Sequence, residues 1–264
     1  MRANERTRSW ETVSTRIKRG VVDFCRAGLD FVYPPACLFC GREIPTETTP
    51  KFCPSCRGDL DPLILDACER CGAPVGPNLA TEEGCIHCRA TPFRFDRVIP
   101  LGVYRNLLQR ACLTMKHHGT EPLASALAEL LWMREQERLE SLKIDRVLSV
   151  PRHWTRRLWP SHNASETLAR VFAKKLHAKC DLHRVVKIRR TPRQATLPYS
   201  LRRRNLRDAF RLRRPKVLEG QNVLIVDDVL TTGTTINRIS RLLQKAGVRT
   251  IVAAVIARGL GEAR

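Results

Sequence analysis

Four Cys-x-x-Cys pairs follow one another in the first third of the chain: Cys37/Cys40, Cys53/Cys56, Cys68/Cys71 and Cys85/Cys88, with gaps of 12, 11 and 13 residues between them. A Cys-x-x-Cys folds as a tight knuckle that offers two thiolates on one side, and two knuckles close one tetrahedral zinc site. The runs CLFCG and CERCGAP put glycine directly after a pair, where the chain must turn sharply. Only short apolar runs lie between the pairs, so hydrophobic burial alone would not fold this segment. Eight of the chain's 11 cysteines stand in this cluster, and MRANERTRSW carries no apolar run behind its charges. Zinc binding in a reducing, cytoplasmic compartment is therefore favoured over disulfides. All eight are assigned as ligands of two zinc ions. The favoured partition is sequential, with Cys37, Cys40, Cys53 and Cys56 on one ion and Cys68, Cys71, Cys85 and Cys88 on the other; spacing does not exclude an interleaved cross-brace. Four thiolates leave no position for water, which makes both sites structural. Cys25, Cys112 and Cys180 sit in apolar-periodic stretches and are expected as small core residues.

Around this cluster the chain divides into three. Residues 1–34 read as an amphipathic leader helix, with Trp10, Val13, Ile17, Val21, Phe24 and Leu29 at helical spacing. Residues 35–92 form the double zinc ribbon. From 93 to 264 apolar runs alternate with amphipathic helices: FDRVIPLGVY, IDRVLSV, HRVVKI, NVLIVDD and RTIVAAVIA read as strands, and the helices between them include EPLASALAELLWMREQERL, with Pro122 in its first turn. That alternation predicts an α/β domain with a doubly wound, mainly parallel sheet. No stretch approaches the roughly 20 apolar residues of a membrane span.

The sharpest chemical signal runs from Val223 to Thr235, VLIVDDVLTTGTT. A hydrophobic strand ends in Asp227 and Asp228, and a Thr/Gly loop then opens into a helix. At the carboxyl edge of a parallel sheet this is where α/β folds bind ligands. The loop amides and the positive end of the helix suit a phosphate dianion, with threonine hydroxyls as further donors. The two carboxylates can accept hydrogen bonds from a diol such as ribose. A Walker-type loop is excluded, because no Gly-Lys-Ser/Thr occurs there.

VLIVDDVLTTGTT resembles the phosphoribosyl-diphosphate (PRPP) signature of the type I phosphoribosyltransferases. Four zinc knuckles followed by such a domain resemble the ComF family, the competence-associated ComFC and GntX-like proteins. MKHHG at 115–119, SVPRHWTRR at 149–157, RTPRQATLPYSLRRRNLRDAF at 190–210 and the closing Ala257-Arg258 are similar to further segments of that family. Where the family commonly has Arg-Gly-Phe-Asn-Gln, this chain reads Pro160-Ser161-His162-Asn163-Ala164 and shares only the asparagine. The resemblance implies a type I phosphoribosyltransferase-like fold. It implies that Thr231, Thr232, Gly233, Thr234 and Thr235 hold a 5′-phosphate, and that Asp227 and Asp228 bind the ribose hydroxyls and act as the catalytic pair near C1. It also implies Mg²⁺ as a second cofactor beside zinc, and a pyrophosphate met by Lys116, Arg152 or an arginine of the 202–204 cluster.

Charge points the same way. Lys and Arg number 47 against 26 Asp and Glu, a formal net charge of +21, which selects phosphates, free or polymeric, as partners. Residues 184–216 alone hold 13 Lys/Arg against Asp208. That stretch is a solvated loop, a lid over pyrophosphate, or a track for single-stranded DNA with only Tyr199 and Phe210 to stack on. The resemblance implies two alternative functions. One is transfer of phosphoribosyl from PRPP to an acceptor, linked to DNA uptake and competence or to nucleotide salvage. The other is a non-catalytic nucleic-acid adaptor in DNA uptake with a vestigial nucleotide pocket.

Overall fold

The computed structural model describes residues 33–60, 67–76, 84–151, 163–189, 206 and 208–260. The chain separates into two compact units, Met1–Cys53 and Pro54–Arg264. The leader helix, Cys25, Arg152, the Pro160–His162 run, Tyr199 and the arginines 202–204 lie outside the described residues.

In the first unit the Cys37 knuckle is closed by Cys37 N–H donating to Arg42 O (2.8 Å) and Gly41 N–H to Cys37 O (2.9 Å). Gly41 takes φ +74, a conformation that costs glycine nothing. The second unit repeats the device: Cys68 N–H donates to Ala73 O (2.8 Å) and Gly72 N–H to Cys68 O (2.7 Å), with Gly72 at φ +67.

The second unit holds strands β1 (Arg97–Val103), β2 (Arg146–Ser149), β3 (Lys179–Cys180), β4 (Val185–Lys187), β5 (Phe210–Leu212), β6 (Asn222–Leu230) and β7 (Thr250–Arg258). Its helices are α1 (Pro54–Leu60), α2 (Asn106–Thr114), α3 (Glu121–Ser141), α4 (Ala164–Lys175) and α5 (Thr234–Lys245). A five-stranded parallel sheet runs in the order β1-β7-β6-β2-β3. Eight consecutive residues of β7 are buried, so both sheet faces are covered. On one face Leu148, Val223, Ile225, Ile251, Ala253 and Val255 share a core with Ile236, Ile239 and Leu243 of α5. The alternate residues Leu224, Val226, Val252, Ala254 and Ile256 point to the other face and are buried too.

Three features depart from the sequence reading. HRVVKI does not enter the main sheet: β4 pairs antiparallel with β5, and Val185 and Phe210 of this hairpin join the α5-side core. Strand β6 does not stop at the acidic pair, because β7 is equally long and continues the ladder through Asp227↔Val255, Val229↔Ala257 and Leu230↔Arg258. Cys112 is buried as expected, but Cys180 is exposed, since β3 is a two-residue edge strand held only by β2.

The strand order locates the binding crevice. From β6 the chain crosses through α5 to β7 on one side, and from β2 it crosses through α4 to β3 on the other. The carboxyl ends of β6 and β2 therefore flank the point where the winding reverses, the place where open α/β sheets take ligands.

Candidate functional site

The cysteines form two groups, Cys37/Cys40/Cys53/Cys56 and Cys68/Cys71/Cys85/Cys88, and in each all four Sγ lie within 4.8 Å of one another. The partition is thus sequential. Individual Sγ···Sγ separations are 3.7 Å for Cys40–Cys53, 3.8 Å for Cys68–Cys88, 3.6 Å for Cys71–Cys85 and 3.9 Å for Cys85–Cys88. A tetrahedron of sulfurs about 2.3 Å from zinc has edges of about 3.8 Å, so these groups fit structural Zn²⁺. Burial works to raise the Cys37 thiol, yet the amides of Cys40, Cys53 and Phe39 hold it down at about 6. Cys68 is likewise lowered by amides of its own knuckle and of Cys85, against burial. Cys88 is pushed up to about 11, and Cys71 is raised as well, first by burial and then by the neighbouring thiols. Only a cation lets four such sulfurs ionise together.

The Cys68/Cys71 knuckle is built onto the sheet. Glu69 O accepts from Val98 N–H of β1 (3.2 Å), and Gly72 lies so close that a Cβ there would sit 3.0 Å from the Pro100 ring.

At the reversal point, Asp227 Oδ1 accepts from Ser165 Oγ of α4 (2.9 Å) and from the Asp228 amide (3.0 Å). Asp228 Oδ1 accepts from Val229 N–H (2.8 Å), while its Oδ2 lies 3.0 Å from Lys116 Nζ, just beyond α2. Burial, then the charge of Asp228, pushes the Asp227 carboxyl well above the ordinary carboxylate range. Burial works against the Lys116 ammonium, but the Asp228 charge and hydrogen bond outweigh it and its pKa rises. Ser149, at the end of β2 beside Val226, is buried, and its hydroxyl has no partner among the described residues.

The loop that follows is shaped by Gly233 at φ +70, which starts α5. Thr232 and Thr234 share a hydroxyl contact of 2.7 Å, and Thr234 N–H donates to Thr232 Oγ1 (3.2 Å). Among the described residues, the amides of Thr232, Gly233 and Thr235 make no hydrogen bond. Orphan donors at the positive end of a helix form an anion cradle.

Of the residues the sequence singled out, Asp227, Asp228, Lys116 and the Thr231–Thr235 loop come together, whereas Arg152 is outside the described residues. Asn163 turns onto its own helix, donating to Glu166 Oε1 (2.9 Å). Sequence reasoning missed Ser165, Ser149 and Phe93. Phe93 stacks on Phe95 with ring centroids 4.5 Å apart and covers Gly233, where a Cβ would stand 2.8 Å from Phe93 Cε1. Arg94 N–H donates to Asn237 Oδ1 of α5 (2.7 Å), fixing this segment to the helix. A cavity of about 210 Å³ opens here, walled by Thr232 and Thr234 on one side and by Arg94, Arg238 and Arg241. A serine near a helix start is ordinary in sequence, and nothing local to Phe93 marks its partner.

Ribbon, sheet and loop together define a double zinc ribbon carried with a phosphoribosyltransferase-type domain. Family profiles agree: one described as a phosphoribosyl transferase domain matches residues 162–263, and one described as a double zinc ribbon domain matches residues 28–89. The DNA utilization protein YhgH of Escherichia coli O157:H7 is 31% identical over 236 residues, covering 88% of this chain and 94% of that protein. Competence protein F of Haemophilus influenzae is 29% identical over 214 residues, 75% of this chain and 93% of that protein. The chain belongs to the ComF family. Among solved structures, the glutamine PRPP amidotransferase from B. subtilis complexed with ADP and GMP aligns at 23% identity and a TM-score of 0.31, over 50% of this chain and 26% of that one. No helix among the described residues is long and apolar enough to cross a membrane.

Proposed function

We propose that this protein binds PRPP with Mg²⁺ and transfers its phosphoribosyl group to an acceptor. One observation carries the reading: an acidic pair at the winding reversal stands directly before a loop in which, among the described residues, the amides of Thr232, Gly233 and Thr235 make no hydrogen bond. In this reading the amides and hydroxyls of Thr231–Thr235 take the 5′-phosphate. Asp227 and Asp228 accept hydrogen bonds from the ribose hydroxyls. When the C1–oxygen bond to pyrophosphate breaks, the electron pair leaves with pyrophosphate and positive charge builds on the ribosyl ring. In this reading Asp228, with Asp227 once the cationic ligand has drawn off its proton, stabilises that charge, so the chemistry rests on positioning and electrostatics rather than on a nucleophilic side chain. Lys116 holds Asp228 in place and adds positive charge where pyrophosphate would depart. The hard oxygens of Asp227 and Asp228 are of the kind Mg²⁺ accepts, and the ion, when bound, neutralises pyrophosphate charge. Titrating PRPP and Mg²⁺ into wild type and into Asp227→Ala/Asp228→Ala tests this: saturable binding is expected in the first and a loss of at least about tenfold in the second. Equal binding in both would end the reading.

A second reading, single-stranded DNA handling, is favoured by the 13 Lys/Arg between 184 and 216 and by the relatives named for DNA utilization and competence. Affinity for a single strand is then expected to fall steeply with salt and to fall again in the Arg202→Ala/Arg203→Ala/Arg204→Ala variant. A flat salt response would remove it.

A further inference from the structure

Arg258 closes β7 and is only 4% exposed, yet all its acceptors are backbone carbonyls. Its Nε donates to Cys71 O (2.8 Å), and its Nη1 to Leu230 O (3.1 Å), Thr231 O (2.5 Å) and Gly259 O. Among the described residues no carboxylate pairs with it. Burying a guanidinium is costly, and such a cation draws to itself whatever carbonyl dipoles are near.

Two of those carbonyls begin the phosphate loop. In a planar trans peptide the C=O and the following N–H point in opposite directions. Turning the Leu230 and Thr231 carbonyls onto Arg258 therefore aims the Thr231 and Thr232 amides away from it, with the positive end of each peptide dipole outward. A third carbonyl belongs to Cys71, one sulfur ligand of the second four-cysteine centre. The same side chain thus grips the zinc knuckle and the loop.

Two further contacts run along the same line. Gly259 N–H donates to Leu230 O (2.7 Å), and a Cβ on Gly259 would sit 2.8 Å from Thr231 Cγ2, so the chain after Arg258 presses on the loop itself. Phe93 packs both against the cluster of Cys68, Cys71, Cys85 and Cys88 and against the α/β core, while its ring covers Gly233.

We propose that Arg258 is a positioning residue that couples the second zinc centre to the phosphate loop, so that zinc at Cys68/Cys71/Cys85/Cys88 and a phosphate at Thr231–Thr235 strengthen each other's binding. The phosphate half rests on the function proposed above. Linkage requires the effect to be reciprocal.

The test uses the full-length, zinc-loaded protein with ribose 5-phosphate as the probe. Calorimetry is expected to show affinity about tenfold or more weaker in Arg258→Met, from the loss of charge-assisted hydrogen bonds, with partial recovery in Arg258→Lys. Saturating ribose 5-phosphate should slow zinc loss to a chelator, read as alkylation of Cys85 and Cys88 by mass spectrometry, several-fold in wild type and not in Arg258→Met. Amide exchange of residues 231–235 supplies a readout that needs no ligand: it should quicken in Arg258→Met, and in wild type once the second centre is stripped. Unchanged affinity and unchanged zinc loss in a folded Arg258→Met protein would overturn the coupling and leave the PRPP reading intact. Absence of any ribose 5-phosphate or PRPP binding to wild type would instead overturn that reading. The coupling would then be judged by exchange, and zinc-independent exchange of the loop would refute it.

Discussion

Gly233→Ala is the substitution that most directly probes how the Thr231–Thr235 loop is built. Two separate costs are written into the position. Its φ of +70 lies in the left-handed region, which costs a residue with a Cβ about 1–2 kcal/mol. The new Cβ would also stand 2.8 Å from Phe93 Cε1 and 3.2 Å from Cζ, a clash that must be relieved by moving the ring, at about 1–3 kcal/mol. Together these destabilise the fold by about 2–5 kcal/mol, or about 4–20 °C in Tm at 2–4 °C per kcal/mol. Phe93→Ala alone gives up a partly buried ring stacked on Phe95 and should cost about 1–3 kcal/mol. In the double variant the clash has no partner, so Gly233→Ala adds only its backbone cost to that of losing the ring, and the two changes should be favourably coupled by about 1–3 kcal/mol. Urea unfolding of the four proteins of this cycle measures the coupling. Strict additivity would refute the claim that the aromatic ring bears on the loop. A cost below about 0.5 kcal/mol for Gly233→Ala would refute the strained-loop argument altogether.

Two further outcomes are expected. Because burial and Asp228 raise the Asp227 carboxyl, the folded state holds that proton at a pH where the unfolded chain releases it. Stability is therefore lost as pH rises from the unfolded value of 3.8 toward the raised folded one. Asp227→Asn, which keeps Oδ1 for Ser165 and the Asp228 amide, should unfold at higher urea than wild type at pH 7 and lose that advantage near pH 4; a constant difference across this window would contradict the assignment. Asp181 Oδ2 accepts from Arg146 Nη1 (2.9 Å) and Arg184 Nε (2.8 Å), both arginines being buried. Asp181→Ala strands two guanidinium groups and should cost about 3–5 kcal/mol in urea unfolding, whereas a cost under 1 kcal/mol would mean the carbonyls of Arg213 and Arg214 and the amide of Gln221 suffice.

What could be read from the chain by itself was whatever depends on neighbours a few residues away. Cysteines three apart offer two thiolates on one side through local geometry, as a glycine-closed knuckle at Cys37 and Cys68 and at the start of α1 for Cys53 and Cys56. A run of β-branched residues and a Thr/Gly turn opening a helix specify a strand, a turn and a helix start through local backbone geometry, but not that β6 runs past the two acids to Leu230. The sequential sharing of zinc was beyond reach, because spacing allows either partition and only the folded sulfurs, 3.6–3.9 Å apart, decide. So too were the partners of the acidic pair. Ser165 meets Asp227, and Lys116 meets Asp228, because the order β1-β7-β6-β2-β3 brings helices α4 and α2 to the carboxyl end of β6. Phe93 over Gly233 and Arg258 under Cys71 and Thr231 arise in the same way, from a zinc knuckle laid against β1 and β7. Short-range chemistry shaped each part of the site. Which parts touch was decided by strand order and packing, which no local pattern of residues encodes.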